Sequence, residues 1–160
     1  MKSFKDNAGH SWALSVTVDT IKRVRALVNV DLLTVLDGKL IERLAGDPVL
    51  LCDVLYAVVK PEADAQGVSD VDFGKALAGD AIEHATTALL EELADFFPQA
   101  KRRLLGKALS KLKAVEQAAA NLAEKRLDSV DVDQVIETAL RSAGASSGSL
   151  PASPASTPAG

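Results

Sequence analysis

Between Val49 and Val59 every residue except Asp53 is apolar, and no other stretch constrains the chain as much. A helix that is apolar on all sides must be enclosed by other elements. Asp47 followed by Pro48 marks its start: a carboxylate to accept the first free amides, then a residue with no amide hydrogen to leave unpaired. Proline disfavours helical geometry in its predecessor, so the helix is predicted to stop before Pro61. The eleven residues of the run fall well short of the roughly 20 that cross a bilayer. The run is therefore expected to be the buried centre of a compact helical domain, with no membrane contact.

The flanking segments fit that centre. Trp12, Leu14, Val16 and Val18 alternate with Ala13, Ser15, Thr17 and Asp19, the period of a half-buried strand. Asp6-Asn7-Ala8-Gly9 before it has turn chemistry, so Phe4 is placed on a partner strand. A lone hairpin is marginal, and this one, over about residues 3–18, is expected to dock Phe4 and Trp12 onto the helices. Asp19 or Thr20 caps a helix through about Val28, and Asp31 can cap a short apolar segment ending at Leu36. Leu40, Ile41 and Leu44 add a short helix closed by Gly46, and 61–67 reads as a polar link. Ser69, three before Asp72, opens another short helix. Asp80 caps a longer one, with Ile82, Ala85, Leu89, Leu93 and Phe96 on one face. A long helix runs from Gln99 to about Leu127, with Leu105, Leu109, Leu112, Ala119 and Leu122 on one broad face. The last carries Val132, Val135, Ile136 and Leu140 and ends at Gly144. The expectation is a mainly α fold: one helical domain over 1–144 with a small N-terminal β-hairpin. Residues 145–160 hold only Ala, Ser, Gly, Pro, Thr and one Leu, too little apolar surface to offset ordering, and are expected to form a disordered, flexible tail.

Little in the chain carries chemistry. Cys52 is the only cysteine, which excludes an internal disulfide and fits a reducing compartment. It lies in the apolar run and is expected to be a small core residue. The start, MKSFKDNAGHSW, has no apolar signal core, so the protein is expected in the cytoplasm. Glu83 and His84 are adjacent and point about 100° apart, unlike the Glu-x-x-His spacing that converges on a metal. His10 has no evident partner. Gly38-Lys39 and Gly106-Lys107 lack the glycine spacing that wraps phosphates, and no Gly-x-Ser-x-Gly elbow or Cys-x-x-Cys pair occurs. No catalytic residue, cofactor site or metal site is expected, and the protein is expected not to be an enzyme.

Charge is the informative feature. Residues 31–100 carry four basic and fourteen acidic side chains, a formal −10, whereas 101–113 carry six basic ones and no acid. Arg103, Lys107 and Lys111 recur at i, i+4 and i+8, a stripe along one helix face. Such a stripe can be a plain solvated face, can meet an acidic protein surface including another copy, or can neutralise phosphates. The acidic balance and the lack of interleaved aromatics for base stacking weigh against nucleic acid. These three residues are the candidate protein-interaction face.

The phrases FKDNAGHSWALSV, IKRVRALVNVDLL, DPVLLCDVLYAVV, SDVDFGKAL and LLEELADFFP, followed by a basic helix, together resemble the tail assembly chaperones of long-tailed bacteriophages over roughly residues 2–140. The family has no signature residues, so the resemblance carries over no site. It implies a cytoplasmic, non-enzymatic binder that coats the tape measure protein during tail assembly and brings tail tube subunits to it. It also implies a longer, frameshifted product of the same gene. Two other functions fit the chain: a helical structural or adaptor subunit of a phage particle, and a small nucleic-acid-binding regulator using the 101–113 stripe.

Overall fold

Lys2–Lys5 (β1) and Ser11–Leu14 (β2) pair antiparallel, with Phe4 opposite Trp12. The turn between them is organised by the Asp6 carboxylate. Its Oδ1 accepts from the amides of Ala8 and His10 at 3.0 and 2.9 Å, and its Oδ2 accepts from Trp12 Nε1 at 2.9 Å. Trp12 is fully buried, its ring edge-on to Phe73 with centroids 5.3 Å apart, and Phe4 meets the same ring at 6.4 Å. The hairpin is thus held to the helices by three aromatics.

In the computed structural model, which describes residues 1–146, the rest is helical. The β2 strand stops at Leu14, short of the alternation through Val18, because the next residues close a turn on themselves. Thr20 Oγ1 donates to the Ser15 carbonyl at 2.9 Å, and Thr17 Oγ1 accepts from the Thr20 amide at 3.3 Å. Thr17, and not Asp19 or Thr20, therefore caps α1 (Val18–Val28). Asn29 ends α1 in the left-handed region at φ 57°. Asp31 caps a 3₁₀ turn over Leu32–Asp37 through the Leu33 amide, and α2 (Lys39–Gly46) follows.

The central helix, α3 (Pro48–Gln66), starts as expected, with Asp47 accepting from the amides of Val49 and Leu50. It does not stop before Pro61. Pro61 sits inside the helix, and 61–66 are its last six residues with Gly67 as the cap, not a polar link. The cause lies in α1. Proline leaves the carbonyl four residues earlier, that of Ala57, without its amide donor. Arg23 Nη1 supplies a donor instead, at 3.2 Å from the Ala57 oxygen and 3.0 Å from that of Val58. Gly67, at φ 68°, then closes the helix by donating to Ala63 and Asp64.

Ser69 caps α4 (Asp70–Ala76), and Gly79, at φ 58°, leads into α5 (Asp80–Phe96) with Asp80 at the first helical position and not at the cap. The expected face of α5 buries Ala85, Leu89 and Leu93, but Ala88, Leu90, Glu92 and Ala94 are buried too. The helix lies against both the hairpin and α3, so more than one side is covered. Glu92 there accepts from the amides of Lys2 and Val16, tying the ends of the hairpin to α5.

Gln99–Asp128 forms α6, and Val132–Ser146 forms α7, capped by Asp131. Gly144 does not end α7; its backbone stays right-handed and the helix continues through it. The chain divides into two compact units, residues 1–113 and 114–160. The core, from Phe4 to Leu105, belongs to the first. Every residue from Lys113 to Gly144 is exposed. Of the tail expected over 145–160, Ala145 and Ser146 fall in α7, and the remainder lies outside the described residues.

Candidate protein-interaction surfaces

Leu105 is buried, and Leu109 and Leu112 pack partly against the core, which fixes how the first half of α6 faces the first unit. Arg103 and Lys107 each stand two residues from a member of that line, about 200° around the helix, so the stripe faces solvent. Arg103, Lys107 and Lys111 are all exposed, and together they extend about 12 Å along the axis. Two of their basic neighbours are engaged. Arg102 donates to the Asp95 carbonyl at 2.7 Å, and Lys113 lies 3.9 Å from Glu91. Among the described residues Arg103, Lys107 and Lys111 have no ion-pair partner. Beside them Leu104 is 66% exposed.

A second surface of the first unit was invisible in the sequence. Where α1, α3 and α4 meet, an open cleft of ≈ 410 Å³ is lined by Leu27, Val28, Asp53, Tyr56, Ala57, Lys60 and Asp70. Asp53, Tyr56 and Lys60 lie at i, i+3 and i+7 of α3, hence on one face. Lys60 is held by Asp64 at 2.7 Å and lies over the Tyr56 ring, so it does not neutralise the cleft's carboxylates. Desolvation beside the apolar wall, then the charges of Asp70 and Asp47, push the Asp53 carboxyl above its ordinary value. Asp53 was legible only as the one polar interruption of the apolar run. Its company of Asp70 and Leu27 comes from three elements distant in sequence.

In the second unit the helix faces expected to be buried are uncovered. Val115 and Leu122 on α6, and Val132, Val135, Ile136 and Leu140 on α7, are each more than half exposed. The periodicity that predicts an apolar face is present, and that face is exposed.

Cys52 is half-buried, not enclosed, and Gly74 leaves room beside its sulfur. Desolvation, with the charges of Asp53 and Asp70, pushes its thiol up to about 11, which leaves it a poor nucleophile at neutral pH. His10 Nδ1 lies 3.0 Å from Asp6 Oδ2, within the hairpin turn, and His84 is exposed on α5. Among the described residues no three His, Cys, Asp or Glu side chains come together as metal ligands would. No helix among them is long and apolar enough to cross a membrane. No family model, curated protein or solved structure matches the chain.

Proposed function

We propose that this chain is a tail assembly chaperone of a long-tailed phage or prophage, acting in the host cytoplasm without catalysis. It binds the tape measure protein and recruits tail tube subunits to it. The reading begins from the resemblance of residues 2–140, and one observation carries it further: the uncovered apolar faces of α6 and α7. The first unit completes its own core by Leu105, so these residues are not needed to fold it. Amphipathic helices with an open apolar face bind other apolar helix faces. A long helical protein whose apolar stripes need cover before the tube encloses them is a partner of that kind. Contacts of a few residues per copy suit a chaperone that tube subunits must later displace.

The test is co-expression with the tape measure protein that this reading places in the adjacent gene. The chaperone reading expects that protein to become soluble and to copurify, and Ile136→Asp with Leu140→Asp to abolish both effects. If the partner stays insoluble and this chain is found in purified particles, it is a structural subunit. A second reading, a nucleic-acid-binding regulator, draws on the unpaired cations of the stripe. It requires micromolar binding of duplex or single strands at physiological salt, lost on reversing Arg103, Lys107 and Lys111.

A further inference from the structure

The α1–α3–α4 cleft joins two kinds of surface that a single side chain can meet at once. Its volume of ≈ 410 Å³ falls among those of clefts that hold ligands, about 300–1,000 Å³. Part of its lining is apolar: Leu27, 56% exposed, with Val28, Ala57 and the Tyr56 ring. The ring is held in place, since the Tyr56 hydroxyl donates to the Val68 carbonyl at 3.3 Å. The rest carries Asp53 and Asp70, and among the described residues neither has a cationic partner. Lys60 shows how a cation lies there. Its ammonium stands 5.6 Å over the Tyr56 ring, while Asp64, 2.7 Å away, keeps it from the other two carboxylates. We propose that this cleft is a docking pocket for a lysine or arginine of a different protein, presented next to an apolar side chain on a short segment.

Both parts of such a segment find a match. Lysine and arginine lay aliphatic stems on apolar surface while the charged head reaches a carboxylate. A cation near Tyr56 also gains from the ring face. Desolvation, then the charges of Asp70 and Asp47, oppose ionisation of Asp53, and an incoming cation replaces that repulsion with attraction. The apolar neighbour covers Leu27. Charge sets the sign of the partner: residues 31–100 carry a formal −10, which repels an acidic segment and draws in a basic one. The space suits inserted side chains, since a whole helix is about 10 Å across. The pocket uses neither α6 nor α7, so the inference stands apart from the chaperone reading.

Nuclear magnetic resonance titration of the full chain with capped hexapeptides tests it. GLKKLG is expected to move the signals of Leu27, Asp53, Tyr56 and Asp70 together, with a dissociation constant of about 1 mM or tighter. GLEELG should move none of them, and GSKKSG should bind about tenfold more weakly because it leaves Leu27 uncovered. Asp53→Asn with Asp70→Asn is expected to weaken GLKKLG binding at least about fivefold. Asp37→Asn with Glu42→Gln removes as much charge away from the cleft and should change it less than about twofold. Leu27→Ser should bind GLKKLG and GSKKSG alike, which keeps a readout if the paired Asp variant unfolds. The proposal falls if GLKKLG does not saturate by about 10 mM. It falls equally if GSKKSG binds as well, or if the distant pair weakens binding as much as the cleft pair. Spermidine binding as tightly as GLKKLG would make the ligand a free organic cation and overturn it. Cleft signals that shift with the chain's own concentration would make the occupant a second copy and overturn it too. Copurification with the tape measure protein is scored separately: its failure leaves the cleft untouched, and failure of the titration leaves the chaperone reading standing.

Discussion

Arg23 donates to the carbonyl of Ala57, at 3.2 Å, and so satisfies the one acceptor in α3 that Pro61 strips of its amide. The same nitrogen reaches the Val58 carbonyl, and the guanidinium is held from its other side by Asp19 at 2.7 Å. A proline that should end the central helix is thereby carried inside it, and α3 gains the turn that leads to Gly67.

Arg23 and Pro61 are therefore expected to be coupled. Arg23→Ala should cost about 1–2 kcal/mol, because it leaves carbonyls in a partly buried place without a donor. In a Pro61→Ala background residue 61 has an amide for Ala57, and the same substitution should cost about half as much or less. A double-mutant cycle by urea unfolding measures this; strictly additive effects would mean that Arg23 acts only through Asp19 and packing.

Asp6 is expected to hold the hairpin in a pH-dependent way. Burial raises its pKa, but hydrogen bonds from Trp12 and from the His10 backbone and ring outweigh it, and the net shift is below the ordinary 3.8. A depressed carboxyl contributes stability above its unfolded pKa and loses it as pH falls through the folded value. Asp6→Ala should then cost about 3 kcal/mol at pH 7, by stranding the Trp12 indole N–H and two turn amides. The difference from wild type should shrink as pH drops below about 4. Unfolding free energies at pH 7 and pH 3 decide it, and a constant difference would count against the carboxylate.

Asp53 should behave in the opposite sense. Its folded pKa is raised, so the ionised group opposes folding above that value and ceases to as pH falls through it. Asp53→Asn is expected to raise the melting temperature at pH 7 and to lose that gain in acid. A lower melting temperature at pH 7 would show that Asp53 makes a favourable contact.

Cys52 should react slowly. With its thiol pushed up to about 11, iodoacetamide at pH 8 should label it about a hundredfold more slowly than a free cysteine. The rate should keep rising with pH to near that value. Rapid labelling at pH 7 would place the sulfur in a more exposed and less acidic setting.

The start of α6 should differ in sensitivity from its later half and from α7. Leu105→Ala removes a buried side chain and is expected to cost about 2–4 kcal/mol. Leu122→Asp and Leu140→Asp alter exposed residues and should leave the unfolding of the first unit within about 0.5 kcal/mol of wild type. A loss comparable to that at Leu105 would mean that these faces are covered within the folded chain.

What the sequence determined by itself was whatever a helix or turn settles among neighbouring residues. Asp47 before Pro48, Ser69 three before Asp72 and Asp31 before Leu32 mark starts that the structure keeps, because a cap bonds amides two or three positions away. Apolar period likewise placed α5 and α6, and the dense run of 49–59 placed the centre of the core. The tertiary structure alone decided where bonds cross long stretches of chain. Pro61 could not be read as helical without a donor 34 residues before Ala57, nor Glu92 as buried without the Val16 amide 76 residues before it. The same holds for the surfaces. The period of Val132 to Leu140 says only that one face is apolar, and whether anything covers it depends on what packs there. Asp53 and Asp70 become one acidic cleft solely because α3 and α4 fold against α1, for charges act across space and the chain order does not record which of them will be near.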